Sequence, residues 1–63
     1  MKSIDKSMKH CLDTLIELVD YPPSHPKEIV DLFGKAMRRY EKQGYKIPEH
    51  YKNKYKEYIV YYL

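Results

Sequence analysis

The chain has 63 residues, with twelve Lys/Arg, nine Asp/Glu, eight Tyr and a formal net charge of +3. One domain, residues 1–63, is what that length makes, with only about 60% of its unfolded surface buried; 43% apolar and 33% charged residues are globular rather than disordered. The single Cys11 excludes an intramolecular disulfide framework and favours a cytoplasmic setting, and neither a membrane-spanning apolar run nor a signal-peptide apolar region is expected.

The net charge hides an asymmetry. Residues 1–34 hold four Lys against six Asp/Glu, whereas residues 35–63 hold eight Lys/Arg against three Glu. An acidic first half and a basic second half suit an acidic protein partner, a nucleic acid, or contact with a second copy. The alternative is simple solubility with attraction between the halves.

A first helix is predicted over about residues 4–21. Ser3 is the expected N-cap, with Asp5 near the positive end of the helix dipole. Ile4, Met8, Cys11, Leu12, Leu15, Ile16, Leu18 and Val19 recur at spacings of three and four and predict one apolar side. Asp13, Glu17 and Asp20 fall on the opposite, solvated side. Pro22-Pro23 should stop the helix.

A second helix is predicted over about residues 26–43, with Pro26 at its first position, His25 or Ser24 as cap and Glu28 in its first turn. It should bury Ile29, Val30, Leu32, Phe33, Ala36, Met37 and Tyr40. Gly34 in its interior costs up to about 1 kcal/mol against Ala, which close approach to a neighbouring helix, or to a ligand, would explain. Gly44 reads as a left-handed stop just past the helix, with Tyr45 folding back on Tyr40.

The third helix, about residues 48–62, opens at Pro48 and carries five of the eight tyrosines. At about 100° per residue, Tyr51, Tyr55, Tyr58, Ile59 and Tyr62 share one side, where rings are buried while hydroxyls reach polar partners. Short connectors then imply an all-α fold, a small three-helix antiparallel bundle.

Chemistry-bearing patterns are few. His10, Cys11, His25 and His50 lack metal-ligand spacing, no serine sits in a nucleophile elbow, and Asp13 with Glu17 lies on an exposed face. No cofactor, metal or catalytic set is expected, and the reading is non-enzymatic. The stretch His25-Pro26-Lys27-Glu28-Ile29-Val30-Asp31-Leu32, a second helix opening at His-Pro, resembles the small aspartyl-phosphate phosphatases of spore-forming bacteria. That family continues with a Ser-Gln-Glu-Leu-Asp signature. Here Phe33-Gly34-Lys35-Ala36-Met37 follows, without its acidic and amide groups, so the activity is not carried over.

The usable signals are charge and exposed apolar surface. Val60 and Tyr61 point away from the predicted core stripe, giving an apolar patch with an aromatic anchor. Tyr45, Val60 and Tyr61 as anchors, with Arg38, Arg39, Lys52 and Lys56 as steering charges, would dock on an acidic, partly apolar partner. Such a chain would act as an inhibitor, adaptor or accessory factor, of a kind common in phages and mobile elements. A homodimer through the same tail is compatible. The second reading is an accessory nucleic-acid binder using Arg38, Arg39, Lys42, Lys46 and Lys52; a helix-turn-helix layout and membrane-surface association are lesser ones.

Overall fold

The computed structural model of the chain describes residues 2–21 and 25–63. In chain order these form β1 (Lys2–Ser3), α1 (Lys6–Asp20), α2 (Pro26–Lys42), β2 (Tyr45–Lys46) and α3 (Glu49–Tyr62). The three helices make the expected all-α bundle, in a body of 34 × 21 × 16 Å. The expected stop at Pro22-Pro23 and the alternative cap Ser24 lie outside the described residues.

Local chemistry sets the ends of the helices. Asp5, not Ser3, caps α1: its carboxylate accepts from the Met8 backbone N–H at 2.8 Å. Ser3 is engaged one step earlier, in β1, so the helix begins two residues later than expected. Pro26 takes the first position of α2, preceded by His25, whose side chain makes no capping bond. Gly44 has φ +92, the left-handed conformation expected of it, and its N–H donates to the Glu41 carbonyl. Pro48 is extended (φ −56, ψ 144) and caps α3 from outside instead of occupying its first turn.

The core holds Leu12 and Val19 from α1, Val30, Phe33 and Met37 from α2, Ile47 from the segment before α3, and Tyr51 and Tyr58 from α3. Helix α2 packs against both of the others. Phe33 lies at the centre, meeting Tyr55 and Tyr58 edge-on at 6.0 and 6.1 Å between ring centroids. Several apolar residues expected inside are not. Cys11 is exposed, Leu18 and Ile59 lie at the margin, and Leu32 is 52% exposed. Each sits on the outer flank of its stripe, and a three-helix core covers little more than the stripe's centre.

Asp13 and Asp20 also correct the expectation. They face α3, where Tyr51 Oη donates to Asp13 Oδ1 at 2.6 Å and Tyr58 Oη donates to Asp20 Oδ1 at 2.8 Å. Both steps are seven residues, two helical turns or about 10.5 Å, so α1 and α3 run parallel in fixed register. The Lys54 ammonium lies 3.8 Å from Asp20 and over the Tyr58 ring. Because α1 and α3 are parallel, the segments leading into them lie side by side. They pair as parallel strands, Lys2 opposite Tyr45 and Ser3 opposite Lys46. Tyr45 is thus a half-buried strand residue, in a segment that also lies against α2.

The two phenols titrate late. Burial, then the hydrogen bond to Asp13, pushes Tyr51 up to about 12. Burial, then Asp20, raises Tyr58 as well. An unfolded tyrosine loses its proton near pH 10. Below that pH both states are protonated and the stabilisation is complete; above it the unfolded state deprotonates first, and stability falls until the folded pKa is passed. Urea unfolding at pH 7, 9 and 10.5 should show a flat tyrosine contribution and then a decline. In the Tyr51→Phe, Tyr58→Phe chain that decline should be shallower, and each lost hydrogen bond should cost about 1–2 kcal/mol at pH 7. Equal alkaline slopes in the two chains would show that these phenols are not held protonated by the fold.

Candidate functional site

The two flanks of α2 make two different surfaces. One flank meets α3 and is interrupted by Gly34. A Cβ on Gly34 would lie 2.5–2.7 Å from the Tyr55 Oη, Cζ and Cε1 atoms, so the glycine is what lets the Tyr55 ring lie across α2. Beside it opens a groove of about 280 Å³ with Gly34, Met37 and Tyr55 at its floor and Arg38, Glu41, Lys52 and Lys56 around it. Among the described residues the Tyr55 hydroxyl has no hydrogen-bond partner.

Three of the expected steering charges, Arg38, Lys52 and Lys56, meet at this groove although they lie up to eighteen positions apart. Arg38 follows Gly34 by one turn on α2, and Lys52 and Lys56 are one turn apart on α3. Lys52 Nζ lies 3.5 Å from Glu41 Oε2, joining α3 to α2. Arg38 and Lys56 form no ion pair among the described residues. The groove thus sets three cations and one acid around an apolar floor.

The other expected residues lie elsewhere. Arg39 is on the opposite flank of α2, over the α1 seam with Cys11 and Tyr40. There burial, then the Cys11 thiol, raises the Tyr40 phenol. Lys46 borders a separate cleft with Lys9 and His50. Lys42 is exposed in the last turn of α2. The cations proposed for a nucleic-acid track therefore lie on several faces of the bundle.

Val60 and Tyr61 are 87% and 80% exposed, and Leu63 is 66% exposed. The helical repeat puts Tyr61 about 140–180° from Lys52 and Lys56, so anchor and steering charges occupy different sides of α3. Tyr61 packs edge-on against Tyr62 at 4.8 Å. Half-buried Tyr45 is the least available of the three proposed anchors.

Sequence reasoning missed Glu41 and Tyr55 as parts of the site. Tyr55 fell on the core stripe, and nothing linked Glu41 to Lys52 without knowing which flanks of α2 and α3 adjoin. The interior glycine was the available signal. Among the described residues no group of three or more His, Cys, Asp and Glu side chains is placed to hold a metal ion, and no helix is long and apolar enough to cross a membrane. Comparison with known protein families, curated proteins and solved structures finds no match to this chain.

The Gly34–Tyr55 contact can be tested by sign. On an open helix face, Gly→Ala gains up to about 1 kcal/mol. Here Gly34→Ala is expected to lower stability by about 1–2 kcal/mol through overpacking. In a Tyr55→Ala background the same change should become stabilising. Denaturant midpoints of the four chains decide it; a gain from Gly34→Ala in the native background would mean that Tyr55 does not need the space.

Proposed function

We propose that this chain acts without catalysis, by docking on another protein. The observation that carries the reading is the meeting of Arg38, Lys52 and Lys56 around a groove floored by Met37 and Tyr55. Cations beside apolar surface, of which Arg38 and Lys56 have no described counterion, favour a partner patch that is acidic and partly apolar. The exposed Val60, Tyr61 and Leu63 supply a second, apolar contact of the composition common at interfaces. An inhibitor, adaptor or accessory factor works by such steric occupation and needs no reactive group. The free, exposed Cys11 suits a reducing cytoplasmic partner environment. A second copy of the chain is another occupant the apolar tail would accept, and sedimentation separates self-association from capture of a different protein.

The test is affinity capture from the host lysate with three baits: the native chain, Tyr61→Ala with Val60→Asp, and Arg38→Glu with Lys56→Glu. The charge-reversed bait should lose the partner at least about ten-fold, and raised salt should slow association of the native bait. The tail variant should weaken capture with less salt sensitivity. Identical captured proteins from all three baits would remove this reading. Oligonucleotide binding that falls linearly in log affinity against log salt would replace it with the nucleic-acid one.

A further inference from the structure

Glu41 already holds a carboxylate in the α2–α3 groove. Its Oε2 lies 3.5 Å from Lys52 Nζ, with both side chains 41–46% exposed, and it is the only acid among the described residues around that groove. An ion pair so exposed is worth at most about a five-fold preference, so an external carboxylate competes with it readily. Arg38 and Lys56 remain without a described counterion, and the Tyr55 hydroxyl lies over Gly34 with no described acceptor.

Together these supply a guanidinium fork, an ammonium and a phenolic donor above an apolar floor. A carboxylate satisfies the donors; the side of Met37 and the Tyr55 ring call for an apolar neighbour. The groove's 280 Å³ is room for about nine waters, which is the scale of one or two side chains and not of a folded element.

We infer that the α2–α3 groove receives a short acidic protein segment bearing an apolar side chain beside a carboxylate, and that Glu41 is an internal competitor occupying part of that site. This rests on the docking reading above and specifies its contact. The segment's carboxylate sits between Arg38 and Lys56 and accepts from Tyr55. Its arrival draws Lys52 from Glu41, so binding must break that pair and also meets the repulsion of Glu41's negative charge. Removing Glu41's charge therefore strengthens binding, whereas neutralising an acid elsewhere on the helix does not.

The probe is an end-blocked peptide of alternating glutamate and leucine, titrated at low salt into the full ¹⁵N-labelled chain. Saturable shifts are expected at Gly34, Met37, Glu41 and Tyr55. Arg38→Gln and Lys56→Gln should each weaken binding about three- to ten-fold, and Glu41→Gln should tighten it about three-fold or more. Glu28→Gln makes the same charge change at the other end of α2 and should leave affinity unchanged. Circular dichroism checks that each surface variant folds. Equal effects of Glu41→Gln and Glu28→Gln, or shifts spread over every lysine, would overturn the inference; so would tighter binding of oligo-dT than of the peptide. Capture of the lysate partner that survives Arg38→Gln with Lys56→Gln but fails with Tyr61→Ala would also overturn it, while leaving the docking reading intact. A native chain that captures nothing, yet binds the peptide in the expected order of variants, would remove the docking reading and support the groove's chemistry.

Discussion

Two phenol-to-carboxylate hydrogen bonds, Tyr51 to Asp13 and Tyr58 to Asp20, set the geometry on which the bundle depends. Helix α3 buries Tyr51 and Tyr58 in the core, and each of these rings brings a hydroxyl that is costly to leave without a partner. Helix α1 supplies the acceptors at the matching two-turn spacing. The hydrogen bonds therefore do more than offset desolvation: they choose which flank of α1 meets α3 and in which register. A slip by one residue would aim both phenols away from their carboxylates.

The remaining architecture follows from that register. With α1 and α3 parallel, α2 must return between them, and it packs on both. The lead-in segments are brought abreast and close a two-residue parallel ladder, further tied by the Lys2 N–H to the Gly44 carbonyl. Placing α3 beside α2 brings Tyr55 over Gly34 and sets Lys52 and Lys56 opposite Arg38 and Glu41. The cationic groove is in this sense a by-product of the tyrosine core. Its floor is the outer edge of the aromatic cluster around Phe33, and its rim is the first shell of solvated residues on two adjoining flanks.

The helices were legible because their signals are local. Pro26 and Gly44 mark ends, and the spacings of Leu12 with Val19 and of Tyr51 with Tyr58 mark buried stripes. Gly34 announced a close approach without naming the neighbour. What could not be read was non-local. Asp13 and Asp20 look like solvated acids until α3 is placed against them, and an apolar Cys11 or Leu32 looks buried until the narrowness of the core is known. Lys2–Ser3 and Tyr45–Lys46 are too short and too polar to carry a strand pattern, although Tyr45-Lys46-Ile47 does alternate, and Ile47 is buried. Of the proposed contact residues, the shared groove of Arg38, Lys52 and Lys56 depended on helix pairing, whereas the exposure of Val60 and Tyr61 followed from the helical repeat alone.

The claim that tyrosine–aspartate bonds fix α3 on α1 is tested most directly by a double-mutant cycle between Tyr51 and Asp13. Stabilities of the native chain, Tyr51→Phe, Asp13→Ala and the double variant give the coupling free of each residue's other interactions. A coupling of about 1–2 kcal/mol is the predicted result, as befits a hydrogen bond to a charged acceptor at 2.6 Å. Additive effects, with coupling within about 0.3 kcal/mol of zero, would contradict the account and leave the register of the bundle to ring packing alone.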